Sequence, residues 1–316
     1  MPESPFFSVF IPTYNRAQLI SRAIKSIYQQ CFTDYEIIVI DDASSDNTTD
    51  VIDQLKTQYS SIQLNYVKQL RNGKIGAHNT ALKYANGFLL VTLDSDDVLA
   101  PSALKDYYEM WMSIPEESRH KFVGVEGLGA YLYTHTIAGK KYPESPLDSH
   151  YLELQYHYKD RGDKKPALRL DILRRYPYPD YPGEYHLKDS YLWENLAAEY
   201  KTRYFNTIVQ FFEYQPDGLS SNNFKKRLEN TRGYREYYKN LVTNHGPWLD
   251  KKRCNKAVIN YVRYSLHARE TLNLAKLKHP YLYHRLSYII KGYCKYIGDL
   301  VQQKTIKLNQ RLSNKP

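Results

Sequence analysis

The first hundred residues alternate between short apolar runs and segments whose apolar side chains recur every three or four positions. The runs resemble buried β-strands, and the periodic segments resemble amphipathic helices. Strands that are apolar on both faces and separated by helices indicate a mostly parallel sheet covered on both sides. The predicted strands are Phe7–Ile11, Tyr35–Ile40, Ile62–Val67 and Gly87–Leu93, and the predicted helices are Arg16–Gln30, a segment capped by Ser45 or Asp46 that ends near Tyr59, and Gly73–Asn86. We expect Pro12 to end the first strand, because proline cannot donate to a sheet.

Polar clusters follow three of the predicted strands. They are Pro12-Thr13-Tyr14-Asn15-Arg16, Asp41-Asp42-Ala43-Ser44 and Asp94-Ser95-Asp96-Asp97. In such sheets ligands bind beyond the carboxyl ends of the strands. Each cluster alone is also explained as a polar loop tip or a helix cap. The last cluster carries the most chemistry, since its carboxylates repel one another and can bind Mg²⁺ or Mn²⁺, which in turn bridges phosphate oxygens.

Four ordered motifs between residues 7 and 110 carry a resemblance to a known family. They are S-V-F-I-P-T-Y-N-R, E-I-I-V-I-D-D-A-S-S-D-N-T, R-N-G-K-I-G-A-H-N-T-A-L and L-D-S-D-D. Together they resemble the N-terminal half of family 2 glycosyltransferases, especially those that build bacterial surface polysaccharides. The resemblance implies an inverting enzyme that uses a nucleotide-sugar, often a UDP-sugar. It also implies the α/β GT-A fold, here with a C-terminal helical extension.

The resemblance assigns donor-binding roles residue by residue. Pro12, Thr13 and Asn15 would shape the nucleotide pocket, together with Tyr14. Asp41 or Asp42 would bind the base or the ribose. Asp94 and Asp96 would be the D-x-D pair, with Ser95 between them, and would contact the ribose and the metal-bound diphosphate. Asp97 would support that pair.

The third motif departs from the family pattern. Many relatives read Ala-Arg-Asn where this chain reads Ala77-His78-Asn79. A permanent charge is thereby replaced by a group that ordinarily titrates near neutral pH. Arg71 and Lys74 are close enough in sequence to supply the missing charge to a diphosphate. A structural, hydrogen-bonded role for His78 explains the residue equally well.

Residues 121–220 are expected to form the acceptor half. The sequence predicts strands over Phe122–Val125 and Ala130–Ile137, a hairpin turn at Gly139, and a functional loop from Pro143 to Pro166. A helix is predicted within Leu187–Tyr200. Its start resembles the family's Glu-Asp-x-x-Leu-Trp segment, which implies that Asp189 is the catalytic base.

Lys188 stands where the family usually has glutamate. It would keep Asp189 ionised or bind an anionic acceptor. Asp189 is also explained as a cap of the helix that follows, and Glu184 is the backup base. Glu213 and Asp217 are further candidates to line the site. Because Lys188 and His78 both depart from the family pattern, the alternative to an active enzyme is an inactive GT-A-like interaction protein.

The net charge of +10 is divided unequally between the two parts of the chain. Residues 1–220 hold 23 basic and 29 acidic side chains, whereas residues 221–316 hold 21 and 5. This break predicts a catalytic domain over 1–220 and a basic, tyrosine-rich helical region over 221–316, with the boundary near Leu219–Asn223. Tyr281–Leu312 has amphipathic periodicity. Its apolar face fits packing on the body, self-association or docking on an anionic membrane.

Several classes of protein lose support from the sequence. The chain has no membrane-spanning apolar run and no secretory signal, and its three cysteines form no metal or disulfide pattern. No nucleic-acid-binding motif accompanies the basic region. We therefore expect a cytoplasmic enzyme, peripheral at the inner face of the membrane. It would transfer a hexose or N-acetylhexosamine to a saccharide or a lipid-linked saccharide.

Overall fold

The computed structural model describes residues 4–60, 62–159, 164–213, 215, 223–274, 277 and 285–313. The chain divides into two compact units. The first comprises residues 1–180 and 192–221, and the second comprises residues 181–191 and 222–316. Of the predicted boundary at Leu219–Asn223, residues 219–222 lie outside the described residues. Residues 181–191, which we assigned to the catalytic part by sequence, group with the C-terminal region.

The first unit is built on one mixed sheet. Four parallel strands lie in the order β3-β2-β1-β4, and the order then continues β8-β6-β9-β5, with β7 pairing on β9. Strand β8 is antiparallel to both of its neighbours, whereas β6 and β9 are parallel. The strands are β1 Phe7–Thr13, β2 Tyr35–Asp41, β3 Leu64–Lys68, β4 Leu89–Thr92, β5 Val98–Leu99, β6 Phe122–Tyr131, β7 Leu147–Ser149, β8 Lys164–Arg169 and β9 Lys201–Phe212.

Helices cover this sheet and complete its core. The apolar side chains of α1, α2 and α4 pack with those of β1, β2 and β4 in one cluster of fully buried residues, which includes Ile24, Ile37 and Leu104. The predicted α/β architecture is confirmed. The helices are α1 Ala17–Tyr28, α2 Thr48–Gln58, α3 Gly73–Tyr84, α4 Ala103–Met112, α5 Tyr151–Tyr156, α6 Leu170–Leu173 and α7 Ser190–Leu196, within which the chain passes from the second unit to the first.

Pro12 does not end the first strand, contrary to the prediction. It lies inside β1, opposite Ile40 of β2. Successive residues of a strand direct their backbone groups to opposite neighbours. Phe10 accepts from Leu93 on the β4 side, and Thr13 accepts from Asp42 on the β2 side. The nitrogen of Pro12 therefore faces the side where β4 has already ended, so no ladder hydrogen bond is lost.

Two predictions for residues 121–166 are also wrong. Strand β6 runs unbroken to Tyr131, and the chain then turns back so that only Ile137 forms an isolated bridge with Ala130. The segment from Pro143 to Pro166 is not one long loop, because β7, α5 and the start of β8 lie within it. Asn206 fixes its beginning, since its amide contacts both backbone groups of Tyr142.

The second unit is helical. Its helices are α8 Asn223–Glu229, α9 Thr231–Asn244, α10 Lys251–Ala268 and α11 Arg285–Ser313. The predicted C-terminal helix is confirmed from Arg285 onward, and the predicted start at Tyr281 lies outside the described residues. Helix α10 packs with both α9 and α11. None of the described helices combines the length and the apolar character that crossing a bilayer requires.

A buried histidine makes the stability of the second unit depend on pH. His245 is 1% exposed, and burial lowers its pKa to about 4 from an ordinary value near 6.5. The unfolded chain therefore binds a proton that the folded chain excludes between these two pH values. We expect the free energy of unfolding to fall as pH drops from 6.5 to 4, with at most about 3 kcal/mol from this group.

The measurement is urea unfolding at pH 7 and pH 4.5. The variant His245→Gln should lose less stability across this interval than the unaltered protein does. The exposed His120 provides the matched control, His120→Gln, which should leave the pH dependence unchanged. An equal pH dependence in His245→Gln and the unaltered protein would contradict the assignment.

Candidate functional site

The loops after β1 and β2 are tied together at the carboxyl edge of the sheet. Asn15 has a left-handed backbone, with φ of 51°. Its amide N–H donates to Ser44 Oγ at 2.9 Å, and its side-chain oxygen accepts from the Ser45 N–H at 2.8 Å. The Asp42 N–H donates to the carbonyl of Thr13. The predicted residues of the first two clusters therefore form one interlocked rim.

Asp41 and Asp42 are buried and hold parts of this rim in place. Asp41 accepts from the Ser44 N–H at 2.8 Å and from the Tyr66 hydroxyl at 2.5 Å. Asp42 accepts from the Asn72 N–H at 2.6 Å and the Gly73 N–H at 2.8 Å. Because α3 begins at Gly73, Asp42 caps that helix and interacts favourably with its dipole. A hydrogen bond from either carboxylate to a base or ribose stays a prediction.

A cation and an aromatic ring stack beside this rim. The Arg71 guanidinium lies 3.6 Å from the centroid of the Tyr14 ring, and the Tyr14 side chain is 41% exposed. Arginine commonly stacks on tyrosine in this way. Next to Tyr14, Thr13 is 3% exposed, and its Oγ1 has no hydrogen-bond partner among the described residues. The stack holds the Arg71 cation beside the predicted pocket residues.

The acidic cluster forms a tight turn after β4. The Asp97 N–H donates to the carbonyl of Asp94 at 2.9 Å, and Lys74 Nζ lies 2.6 Å from Asp94 Oδ1. Burial acts to raise the pKa of Asp94, but Lys74 and Lys165 outweigh it, and the net shift is downward. Burial, reinforced by Asp94, raises the pKa of Asp96. This turn therefore places several carboxylates close together beside Lys74.

Asp97 has a different environment from its neighbours. It is 3% exposed, and burial is the main cause that raises its pKa to about 7, although Lys165 Nζ lies 3.1 Å away. Its side chain is thus enclosed in the protein. Its support of a D-x-D pair stays a prediction. The sequence analysis missed Lys165. The only local signal was a lysine at the start of a strand-like run.

Arg22 also fixes the turn and was not predicted. Its Nη2 donates to the carbonyl of Asp96 at 2.6 Å, and its guanidinium pairs with Glu213 at 3.0 Å. The hydroxyl of Tyr133 donates to the other Glu213 oxygen at 3.2 Å. Glu213, a weaker candidate from the sequence, therefore contacts the turn through Arg22, whereas Asp217 lies outside the described residues. Local sequence offers no signal for a pair separated by 191 positions.

Of the two roles that the sequence left open for His78, its surroundings favour the structural one over a titrating charge near neutral pH. Its ring packs against Phe10 and Tyr178, and its Nε2 has no hydrogen-bond partner among the described residues. Burial, followed by the charge of Lys74, lowers its pKa to about 4. At pH 7 the imidazole is therefore neutral. The positive charge on this helix next to the acidic turn comes from Lys74.

Asp189 lies in the segment that belongs to the second unit, directly before Ser190 of α7. Its neighbour Lys188 is oriented by an aromatic ring, with Nζ 4.7 Å from the centroid of Tyr237. Burial, then Tyr264 and Asp189, raise the pKa of Tyr234 to about 12. The carboxylate therefore lies close to a buried tyrosine hydroxyl. Its role as base stays a prediction.

Glu184, the backup base, has a structural role in the same segment. Its two carboxylate oxygens accept from the backbone N–H groups of Arg232 and Gly233, each at 2.8 Å. These groups lie in the first turn of α9, whose N–H groups have no partner within the helix. Asn230 adds a second tie, because its side-chain oxygen accepts from the N–H groups of Tyr185 and His186. Segment 181–191 is thus fastened to α9.

The donor set at the acidic turn fits a divalent cation shared with a ligand. Asp94 and Asp96 offer hard carboxylate oxygens, and burial, followed by the charge of Asp94, raises the pKa of Asp96. Among the described residues no group of three or more His, Cys, Asp or Glu side chains is arranged to hold a metal ion. Mg²⁺ sites with one or two carboxylates take further ligands from phosphates and water. The turn therefore suits a site that a diphosphate completes.

Residues 8–118 match the model of the glycosyl transferase family 2. The UDP-Glc:alpha-D-GlcNAc-diphosphoundecaprenol beta-1,3-glucosyltransferase WfgD of Escherichia coli is 30% identical over 223 residues, which cover 69% of this chain and 81% of WfgD. The GalNAc(5)-diNAcBac-PP-undecaprenol beta-1,3-glucosyltransferase of Campylobacter jejuni is 42% identical over 100 residues, which cover 32% of each protein.

Solved structures show the same fold. S. aureus TarS 1-349, in complex with UDP-GlcNAc, aligns with 93% of this chain and 81% of its own, with a TM-score of 0.59 and 18% identity. The mannosyltransferase PcManGT of Pyrobaculum calidifontis, in complex with GDP-Man and Mn²⁺, aligns with 94% and 88%, with a TM-score of 0.54 and 19% identity. The predicted GT-A fold is thereby confirmed. The family model matches residues 8–118, and WfgD is similar to this chain over most of the length of both proteins. This chain therefore belongs to glycosyl transferase family 2.

Proposed function

We propose that this glycosyltransferase moves a hexosyl or N-acetylhexosaminyl group from a UDP-sugar to a hydroxyl of a saccharide, with inversion at the anomeric carbon. The acidic turn Asp94–Asp97, with Lys74 against Asp94, carries this proposal. Clustered carboxylates at the carboxyl edge of a parallel sheet suit a metal-bound diphosphate. WfgD and the C. jejuni relative are both named as glucosyltransferases, so UDP-glucose is the first donor to test.

The donor would lie along the rim and the acidic turn. Asp94 and Asp96 would hold Mn²⁺ or Mg²⁺, and Lys74 and Arg71 would bind diphosphate oxygens. When bound, the metal supplies positive charge for the departing diphosphate. The remaining members of the proposed donor site are Pro12, Thr13, Tyr14, Asn15, Asp41, Asp42, Ser95 and the neutral His78.

Asp189 would act as the general base. The acceptor oxygen attacks the anomeric carbon, its proton passes to the Asp189 carboxylate, and the bond from that carbon to the UDP oxygen breaks on the opposite face. Lys188, held over Tyr237, would favour the ionised carboxylate. The acceptor would be a lipid-linked saccharide of surface-polysaccharide synthesis. The undecaprenol-linked sugars in the names of both relatives support that class.

Release of UDP from a panel of UDP-sugars tests the donor. We expect release with UDP-glucose or UDP-N-acetylglucosamine in the presence of Mn²⁺ and its loss with EDTA, whereas GDP-mannose should give none. The assay includes GlcNAc-diphosphoundecaprenol as acceptor, and NMR of the product reports the anomeric configuration. A product that retains the donor configuration, or release from GDP-mannose alone, would overturn the proposal. No release with any donor would favour the inactive interaction protein.

Arg22 is predicted to tune this site by holding the carbonyl of Asp96. Removing its guanidinium in Arg22→Met would free the turn, and changes of this kind in residues behind metal ligands typically cost 10–100-fold in affinity. We expect binding of UDP with Mn²⁺, measured by calorimetry, to weaken by about 10-fold.

Arg119 provides the matched control for Arg22. Its guanidinium donates to two main-chain carbonyls, those of Ile114 and Met112, and among the described residues it makes no hydrogen bond to the rim or the turn. Arg119→Met should leave the affinity for UDP with Mn²⁺ unchanged. Equal affinities for Arg22→Met and the unaltered protein would show that Glu213 and Arg22 do not position the turn.

A further inference from the structure

Helix α11 packs on α10 through one face. The Tyr288 hydroxyl donates to Asn255 Oδ1 at 2.7 Å. Gly292 lies so close to α10 that a Cβ at this position would meet the Val262 side chain at 2.5 Å. Asp299 is 4% exposed and pairs with Arg263 and His267 of α10. With 3.6 residues per turn, positions 288, 292 and 299 share one side of the helix, which defines the packed face.

The opposite side of α11 is apolar and exposed. Five residues repeat there at intervals of three and four and form a continuous stripe about 22 Å long at 1.5 Å per residue. In the second unit, this stripe points away from α10. The members of the stripe and their exposed fractions are Leu286 71%, Ile290 54%, Tyr293 53%, Ile297 40% and Val301 59%. Exposed apolar patches of this kind mark interaction sites.

A lysine-rich concavity lies between α10 and α11. Four of the six residues that line it are lysines and none is a carboxylate; the six are Lys251, Lys252, Asn255, Lys256, Ile259 and Lys295. Burial, with the charges of Arg263 and Lys256, lowers the pKa of Lys295, which shows that the cations crowd one another. The concavity therefore offers concentrated positive charge to an anion.

We propose that the apolar stripe of α11 and this lysine concavity together form a docking surface for an anionic phospholipid bilayer. The helix would lie in the plane of the interface, with the stripe among the upper acyl chains and the lysines at the headgroup phosphates. Anionic lipid headgroups attract lysine side chains, and tyrosine is enriched at the interface between water and lipid. The arrangement is that of a helix which lies on a membrane without crossing it.

Charge favours the bilayer over a second copy of the chain. Residues 221–316 carry 21 basic and 5 acidic side chains. A two-fold symmetric contact through the stripe would bring two copies of this strongly basic region together. An anionic bilayer neutralises its positive charge instead. The surface lies wholly within the second unit and its test needs no substrate, so it succeeds or fails separately from the donor chemistry.

Co-sedimentation of the full chain with vesicles tests the surface. We expect binding to phosphatidylcholine vesicles that contain phosphatidylglycerol, and at least a 10-fold weaker partition onto phosphatidylcholine alone or at 0.5 M NaCl, since surface charge is screened. The triple variant Lys251→Gln, Lys252→Gln, Lys256→Gln should lower the partition coefficient on the order of 100-fold. Ile290→Asn with Ile297→Asn should abolish binding while the helical circular dichroism is retained.

A charge-matched triple variant controls for net charge. Lys105, Lys225 and Lys239 each pair with a glutamate on their own helix, and none of them lines the concavity. Replacing all three with glutamine should leave vesicle binding nearly unchanged. An equal loss in both triple variants, or no binding to anionic vesicles, would overturn the proposal.

An exposed thiol reports insertion directly. Cys294 borders the stripe and is exposed, whereas Cys254 is buried. In a Cys31→Ser background, an environment-sensitive fluorophore on Cys294 should shift to the blue with anionic vesicles and not with neutral ones. If Ile290→Asn with Ile297→Asn instead converts a dimer to a monomer and leaves vesicle binding intact, a second copy covers the stripe and the bilayer proposal is wrong.

Discussion

Replacing Asp189 with asparagine is expected to lower kcat by about 10³-fold and to leave the affinity for UDP-sugar unchanged. Asparagine keeps the size and the hydrogen-bonding capacity of the side chain but cannot take a proton from the acceptor hydroxyl. Single-turnover sugar transfer measures the chemical step, and calorimetry measures donor binding. Normal turnover with normal donor binding would exclude Asp189 as the base.

Glu184 supplies the control for this experiment, because it is a carboxylate in the same segment. Its oxygens are occupied by the N–H groups of Arg232 and Gly233. Glu184→Gln keeps one acceptor oxygen and should retain most of the activity, with a stability loss of about 1 kcal/mol from the weakened cap. If Glu184→Gln lowers kcat as much as we expect for Asp189→Asn, Glu184 and not Asp189 should be assigned as the base.

Replacing Asp94 with asparagine is expected to reduce kcat/KM by about 10²–10³-fold and to weaken Mn²⁺-dependent binding of UDP. The variant removes one of two proposed metal ligands and also the partner of Lys74. Its thermal stability should fall, because the downward shift of the Asp94 pKa means that Lys74 and Lys165 stabilise the ionised carboxylate in the folded protein. Mn²⁺ titration followed by electron paramagnetic resonance measures the metal affinity.

Asp171→Asn is the matched control for the acidic turn. Asp171 is an exposed carboxylate that pairs with Arg169. Like Asp94 it is a carboxylate in an ion pair, but it does not belong to the acidic turn. It should leave Mn²⁺ affinity and turnover unchanged. Full activity of Asp94→Asn in Mn²⁺ would mean that the turn does not bind the metal.

The sequence predicted which loops contribute to the site, because each of these loops directly follows a predicted strand. Apolar runs and helix periods predicted the strands of a parallel sheet. The structure pairs β1 with both β2 and β4, and parallel strands bring Asn15, Asp41 and Asp94 to one edge. The positions of these loops follow from topology alone. Sequence also gave the correct type for α1 and α2, although their ends differ by one or two residues.

The contacts that tune the site depend on pairings between distant segments. Lys165 reaches Asp97 because β8 inserts antiparallel beside β4, and no local period encodes that register. The role of His78 stayed open between a titrating and a structural group, because its burial against Phe10 and Tyr178 is a tertiary property. The mistake at Pro12 has the same origin, since the cost of a proline depends on where the neighbouring strand ends.

The assignment of residues 181–191 to the C-terminal unit has a consequence for how this enzyme can be altered. The chain crosses between the units at 180/181, 191/192 and 221/222, so the segment that carries Asp189 is separated in sequence from the helices that hold it. A single-crossover recombination near residue 222 would join this segment to a foreign α9, without a matched Asn230. A chimera must therefore take the segment that carries the proposed base and the C-terminal helices from the same parent.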